Sequence, residues 1–421
     1  MRVSQQISRL VASLLVCASL SVPIAEARHR VSHVIKHQPT ASKAHGKNRT
    51  HSAHKKGRAT THATKKSRKS KVAHVARPRQ EIGALVLSES GETVVDQLSA
   101  MEFNPASAVK IITTYSALST FGPDYRFKTS VLIDGVLDRG TGVLQGDVYV
   151  TGNDPEFDHK DAEALSRTLV EAGVKEVDGK VLVDPTFSYR SSPNPLSSAK
   201  ALLKIWRSAR PDSRVTSRMG AAVSAPPTTG ENIGSIESET LRETLKRMMS
   251  YSQNGVAEQI GRTVGGVRKV EEIVTEEAGL SPGALKLASA SGLGQSRVKP
   301  KDMMQILKSL RTKLQASHLD YQDVFPVAGI DPGTLDKRFT DAQERGSVVA
   351  KTGTLPGTDG GTSALVGMFR AQEQDFYFVI FCWKGSVSGF RHQQDNMIRA
   401  LQAKRGGPKP FHYSRHSESE S

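Results

Sequence analysis

The sequence predicts an α/β protein: an antiparallel sheet flanked by helices, with a mainly β lobe inserted into it. Three observations carry this. Strand-like runs stand at both ends of the folded part: Gly83–Leu87 near its start, and Val348–Thr354, Ala364–Phe369 and Phe376–Cys382 near its end. Between them lie stretches of helical periodicity, of which one follows Asn104-Pro105. The region from Arg126 to about Tyr189 instead reads mostly as short strands separated by turn signals.

Residues 1–27 read as a secretory signal. Arg2 and Arg9 precede an apolar run from Leu10 to Val22, and Ala25-Glu26-Ala27 fits a small-x-small cleavage site. The run is shorter than the ~20 residues that a membrane helix needs. The expected address is therefore the cell envelope, periplasmic or secreted. If Cys17 leaves with the signal, Cys382 is the one remaining cysteine and no internal disulfide is expected. Residues 28–80 form a separate tract with sixteen Lys and Arg, eight His and no Asp or Glu, which matches the chain's whole formal charge of +16. Lacking large apolar residues, the tract is expected to be a disordered basic tail. It reads either as a solvated spacer or as an electrostatic attachment to an anionic envelope polymer or membrane surface. Nucleic acid is not expected as a partner, because the chain carries an export signal and the tail has no interleaved aromatics for base stacking. Its histidines, without cysteines, offer weak metal contacts at most; no metal site and no cofactor is implied.

The folded part is expected from about Glu81. Gly83–Leu87, the turn Glu89–Glu92 and Thr93–Asp96 form a hairpin that leads to the first helix. Asn104 can serve as N-cap with Pro105 at the first helical position. Ala108, Ile111, Ile112, Tyr115 and Leu118 then make an apolar stripe, which Gly122-Pro123 ends. Residues 81–125 and 235–405 are assigned to the main domain and 126–234 to the inserted lobe. In the lobe, Thr129–Ile133, Gly146–Val150 and Lys180–Val183 read as strands and Asp161–Gly173 as a helix. Asp134-Gly135, Gly152–Pro155 and Asp178-Gly179 read as turns. Ser191–Gly230, rich in Pro, Ser and Arg, has no assignment. Helices resume at Glu237 with Leu241, Leu245, Met248 and Met249, followed by helices at Val256–Val264 and Lys301–Leu314 and a terminal one holding Met397–Lys404. Residues 406–421 are expected to be a disordered C-terminal tail. There are no internal repeats.

The chemistry centres on Ser107-x-x-Lys110. Three residues apart on a helix, the two side chains share a face. A serine hydroxyl needs a base to become a nucleophile, and a lysine serves only if burial or a neighbouring cation keeps it neutral. The motif is weak alone, since Ser-x-x-Lys also occurs at Ser52, Ser197 and Ser296. Ser52 lies in the basic tract, Ser197 follows a Ser/Pro turn cluster, and Ser296 precedes Lys299-Pro300 in a loop. Ser107 alone has a capped, apolar-striped helix behind it. Two further motifs follow: Ser252-Gln253-Asn254 at the end of a helix, and Lys351-Thr352-Gly353, which occurs once, on a strand. A glycine inside a strand lets a ligand approach the backbone.

These three motifs match those of the serine penicillin-recognising enzymes. Over most of residues 81–405 the chain resembles the D-alanyl-D-alanine carboxypeptidase/endopeptidase family of penicillin-binding protein 4. The resemblance also rests on Phe121-Gly122-Pro123-Asp124-Tyr125-Arg126-Phe127, Gly152–Pro155, Met248-Met249, Ala257-Glu258, Ser291-Gly292-Leu293, Phe325–Ile330, Gly333-Thr334-Leu335 and Thr354-Leu355. It implies a penicillin-binding-protein/β-lactamase-like transpeptidase fold. It further implies hydrolysis of the D-Ala-D-Ala bond in peptidoglycan peptide stems through an acyl-enzyme, with β-lactams as covalent inhibitors. By the same resemblance Ser107 is the nucleophile and Lys110 its base, aided by Lys351. Ser252 relays the proton to the leaving amine, and Asn254 orients Lys110 and the substrate amide. The backbone N–H groups of Ser107 and Thr354 hold the oxyanion. Lys351, Thr352 and Thr354, with Gly353 between them, form the site of the terminal carboxylate. The chain departs from the family in having Gln253 where Asp is usual, in having Ser289-Ala290 where Asp-Gly is usual, and in a short insertion. Two rival readings stand: a β-lactamase of the same superfamily, and a non-catalytic envelope-binding protein.

Overall fold

The structure, a computed structural model, describes residues 81–413. The signal and basic tail expected over 1–80, and the last eight residues, lie outside the described residues. The two ends of the folded chain pair with each other. β1 (Glu81–Ser88) runs antiparallel to β12 (Gln374–Trp383), and the sheet order is β10 (Val348–Leu355), β11 (Thr362–Ala371), β12, β1, β2 (Thr93–Gln97). β10 to β12 are buried along almost their whole length, which is why they read as continuous apolar runs rather than alternating ones.

Each face of this sheet is covered. On one face Val349, Ala364, Val366, Val379 and Phe381 pack with helices α1 (Val109–Phe121), α4 (Leu241–Tyr251), α5 (Asn254–Val264), α6 (Val267–Glu277) and α7 (Pro300–Ala316). On the other, Ala350, Leu365 and Ile380 pack with Phe390 and Ile398 of α8 (Val387–Lys404) and with Leu335 and Phe339. α1 is the innermost helix: every residue from Val109 to Leu118 is buried. The apolar stripe expected there is thus part of a helix enclosed on all sides.

The insertion forms a second sheet of seven strands with its own core. β3 (Arg126–Asp138) pairs antiparallel with β4 (Val143–Thr151) and with β9 (Glu231–Thr240). β5 (Glu176–Val177) and β6 (Val181–Val183) add parallel to β4 after α2 (His159–Glu171). β7 (Thr216–Ser217) and β8 (Ala221–Val223) add parallel beyond them after a further helix, α3 (Pro195–Ser208).

Four local expectations are corrected. Asp134-Gly135 is not a turn; both residues lie inside β3, with Gly135 opposite Gly146 of β4. Glu237–Thr240 is the end of β9, not a helix start. Thr240 instead caps α4, reciprocally with Glu243. The stretch left unassigned contains α3, with Asn194 as side-chain cap and Pro195 in its first turn. Residues 406–413 are not a disordered tail. Pro408 bridges Ala371, Phe411 is buried beneath Arg370 and donates its N–H to Gly346, and Tyr413 Oη donates to Asp331. One aromatic anchor and a few backbone bonds hold a segment whose composition alone reads as loose.

Candidate active site

Three segments meet at the site. The first is the turn before α1. Asn104 does not cap α1 as the sequence suggested, and the Asn-Pro helix start is realised at Asn194-Pro195 instead. Asn104 is buried; its Oδ1 accepts from the Ala106 N–H at 2.9 Å, and its Nδ2 donates to Gly294 O and Asp359 Oδ2. Asp359 is held in turn by Arg297 through two bonds. This clamp shapes a 3-10 turn, Ala106–Ala108, in which Ala106 takes φ +47°, unfavourable for a residue with a Cβ. Ser107 sits on that turn, half-buried, and α1 follows at Val109.

The second segment is the hinge between α4 and α5. Ser252 closes α4 in the left-handed conformation (φ +56°), and Asn254 opens α5. The third is β10, at the edge of its sheet. Residues 326–328 cover its first half through bonds at Val348 and Ala350. No strand pairs with its outer edge from Lys351 to Leu355 among the described residues.

Lys110 and Lys351 are fully buried. Lys110 Nζ lies 3.1 Å from Ser107 Oγ, 2.7 Å from Asn254 Oδ1 and 2.8 Å from Ser291 O. Lys351 Nζ lies 2.9 Å from Ser252 Oγ and 2.8 Å from Thr352 O. Burial pushes the Lys110 amine down to about 7, opposed by the charge of Glu258. Burial, and then the nearby Lys110 charge, hold Lys351 well below the ordinary lysine value. Neither amine forms an ion pair with a carboxylate among the described residues. A neutral amine 3.1 Å from a serine hydroxyl can take its proton, which is the condition the sequence motif left open.

The site therefore gathers Ser107, Lys110, Ser252, Asn254 and Lys351. The remaining three expected residues follow Lys351 on the same strand. Strand alternation turns Lys351 and Gly353 toward the nucleophile turn and Thr352 and Thr354 toward the opposite face. There Thr352 Oγ1 donates to Thr334 Oγ1 and Thr354 Oγ1 accepts from Arg391. Gly353 lies against the turn before α1. A Cβ on it would stand 2.5 Å from Pro105 O and 3.1 Å from the Ala106 Cβ, so the glycine admits the nucleophile's own turn. Gly292 does the same from the other side, at 2.0 Å from Ala106 O. The other serines of Ser-x-x-Lys type lie elsewhere. Ser197 and Lys200 are exposed on α3, Ser296 is buried and accepts from the Ala288 N–H, and Ser52 is outside the described residues.

Four residues support the site in roles the sequence reading did not give them: Glu258, Asn104, Asp359 and Arg297. Glu258 accepts from the Ser291 N–H, whose carbonyl accepts from Lys110, so it orders the segment that holds the base. Asn104 and its Asp359–Arg297 partners set the serine turn. None of these forms a motif with its partners, because they meet only across long chain separations; the one available signal was the Ser291-Gly292-Leu293 resemblance. Gln253, at the position of a usual Asp, has a buried amide oxygen without a hydrogen bond.

The sequence matches the D-Ala-D-Ala carboxypeptidase 3 (S13) family over residues 69–195 and 214–404. The chain belongs to this family. It is a serine-type peptidase of the D-Ala-D-Ala carboxypeptidase and endopeptidase kind. A carboxypeptidase of Mycolicibacterium smegmatis is 24% identical over 328 residues, which span 66% of this chain and 71% of that protein. Penicillin binding protein 4 of Haemophilus influenzae has the same fold, with a TM-score of 0.66 at 18% identity over 77% of this chain and 96% of that one. So does a penicillin G-acylated predatory endopeptidase of Bdellovibrio bacteriovorus in complex with an immunity protein, with a TM-score of 0.63 at 20% identity over 80% of this chain and 96% of that one. The architecture of this S13 chain is thus the penicillin-binding-protein/β-lactamase-like transpeptidase fold expected from the sequence. No helix among the described residues is long and apolar enough to cross a membrane.

Proposed function

We propose that this S13 peptidase trims or opens peptidoglycan peptide stems in the cell envelope, with Ser107 as its nucleophile and Lys110 as its base. The observation that carries the reading is the buried, unpaired Lys110 amine 3.1 Å from Ser107 Oγ. In the proposed reaction Ser107 Oγ attacks the carbonyl carbon of the D-Ala-D-Ala bond, and its proton passes to Lys110. Burial keeps Lys110 available as a base, and the Lys351 amine beside it is itself held well below the ordinary lysine value. Ser252, bonded to Lys351, relays the proton taken up by Lys110 to the leaving amine as the C–N bond breaks, so Lys110 returns to its neutral form. Asn254, bonded to Lys110, would hold that amine in line and orient the substrate amide. The Ser107 and Thr354 N–H groups stabilise the oxyanion. Water then attacks the acyl-enzyme and releases the shortened peptide. The free edge of β10 at Lys351–Leu355 suits an extended peptide, whose carboxylate end would lie by Thr352, Gly353 and Thr354.

A labelled penicillin is expected to modify the wild type at Ser107 and not Ser107→Ala; label on Ser197 or Ser296 would overturn the assignment. Mass analysis of purified muropeptides after incubation is expected to show loss of terminal D-Ala or opened cross-links. Penicillin hydrolysis is expected to be slow, because its leaving group stays tethered and obstructs water. A fast lactamase overcomes this with a glutamate poised through a water. No such glutamate is expected here: Glu258, one helical turn after Asn254, serves structure and accepts from the Ser291 N–H. The adduct should persist for minutes or longer, and rapid multiple turnover of penicillin without D-Ala release would favour the lactamase reading. The basic stretch 28–80 is proposed as a tether to an anionic envelope polymer. Binding that survives high salt would remove that reading, because exposed charges are screened within ~8–10 Å at physiological strength.

A further inference from the structure

Ser252 and Lys351 reach each other from two separate carriers. Lys351 lies on β10 and Ser252 ends α4, yet the amine and the hydroxyl stand 2.9 Å apart. A serine side chain has one bond to turn about, so its oxygen goes where the backbone takes it. The distance is therefore set by whatever fixes the end of α4 against β10.

Residues 326–334 do this. They start along the outer edge of β10, where Ala350 donates to Pro326 O and Ala328 donates to Val348 O. Asp331, buried, then accepts from Lys246 of α4 at 2.7 Å and from the Val327 N–H at 2.8 Å. Beyond it the segment lies on the last turn of α4. The chain leaves the helix at Ser252, so the Ser250 carbonyl finds no N–H ahead of it in the helix. It accepts instead from the Thr334 N–H at 2.9 Å. Gly333 permits this approach: a Cβ on it would stand 2.3 Å from Ser250 O, and its φ of +118° suits glycine. Thr334 also reaches the strand. Its Oγ1 lies 2.9 Å from Thr352 Oγ1, on the residue next to Lys351. One residue thus touches both carriers, the helix through its backbone and the strand through its side chain.

We propose that Thr334 is a positioning residue: by joining the end of α4 to β10 it holds the Ser252 hydroxyl on Lys351 for the proton relay. The proposal rests on the relay argued above. It gives Thr334 no contact with the substrate and no part in holding its carboxylate.

The test separates leaving groups. An amide nitrogen must gain a proton as its C–N bond breaks. A thioester of the same peptide, with sulfur in place of that nitrogen, departs as a thiolate without one. The quantity compared is kcat/KM, which covers the steps through acylation. Thr334 is exposed, so replacing it leaves the core intact. Thr334→Val is expected to lower kcat/KM for the amide by roughly three- to tenfold, the scale of one hydrogen bond, and to leave the thioester within about twofold. Thr334→Ser should restore the amide. Gly333→Ala should widen the same gap to about 10²-fold, because its Cβ pushes the segment off α4. Equal losses on amide and thioester would mean a general structural role or a part in carboxylate binding, and would overturn the inference. So would an amide rate unchanged in Thr334→Val. Ser252→Ala reports on the reading beneath: it too should lower the amide far more than the thioester, and equal losses there would remove the relay itself.

Discussion

Two clusters in this protein bury cations, and they treat them in opposite ways. Arg311 of α7 is 6% exposed. Its guanidinium is bonded to Asp320, Glu89, Asp375 and the Tyr377 hydroxyl, gathered from a 3-10 turn, the β1–β2 hairpin and β12. These partners outweigh the cost of burial and hold its pKa above the ordinary arginine value. Lys110 and Lys351 are buried more completely, yet their direct partners are hydroxyl, amide and carbonyl oxygens. Their ammonium forms are therefore disfavoured. Burial with carboxylates fixes a charge and joins elements of structure; burial without them releases a proton and makes a base. The two clusters differ both in depth and in partners.

The largest expected effect comes from removing the base. Lys110→Ala, or Lys110→Arg, which cannot lose its proton, should reduce acylation by about 10²–10⁴-fold, the usual contribution of general base catalysis. Both variants lose hydrogen bonds that Lys110 makes to Asn254 and Ser291, so their melting temperature is measured alongside acylation and the rate is compared on the folded fraction. A burst of penicillin labelling at the wild-type rate in Lys110→Arg would show that another group takes the proton. Arg311→Ala should behave in the opposite sense. It leaves Asp320 without its guanidinium and Asp375 with that of Arg370 alone, and breaking a buried pair typically costs about 3–5 kcal/mol. The melting temperature should fall, while the fraction that remains folded should acylate normally. An unchanged melting temperature would mean that the Arg311 cluster does not tie its elements together.

The smallest effect is the most diagnostic. Lys110 titrates at about 7, below the ordinary value for lysine. The neutral amine is the active form, so the acylation rate should rise about tenfold per pH unit below 7 and level off above it. A profile that falls between pH 6 and 8 would contradict a lysine base. Adding a carboxylate sharpens the contrast: Asn254→Asp would give Lys110 an ionic partner and should move the rise to higher pH.

The motifs were legible in the sequence because each is a local device. Ser107 and Lys110 sit three residues apart, Ser252 and Asn254 flank one helix break, and Lys351 lies in an apolar strand. Most strands and the later helices were legible for the same reason, since periodicity is a property of consecutive residues. Asp134-Gly135 misled because a dipeptide that favours a turn can equally sit where two strands cross closely, and α3 was hidden because Pro, Ser and Arg dominate its surroundings. A capped helix does not by itself single out Ser107 among the four Ser-x-x-Lys serines, since Ser197 also lies in the first turn of a capped one.

What the sequence determined by itself was which groups could do the chemistry: a serine and a lysine at helical spacing, a second serine with an asparagine, and a lysine on a strand. Tertiary structure decided whether they could act. It buried Lys110 and Lys351 without carboxylates, used Asn104, Gly292 and Gly353 to shape the strained turn under Ser107, and turned Thr354 toward Arg391. Those outcomes depend on contacts between segments far apart in the chain, and a proton's affinity depends on everything that surrounds it in space, which no run of neighbouring residues specifies.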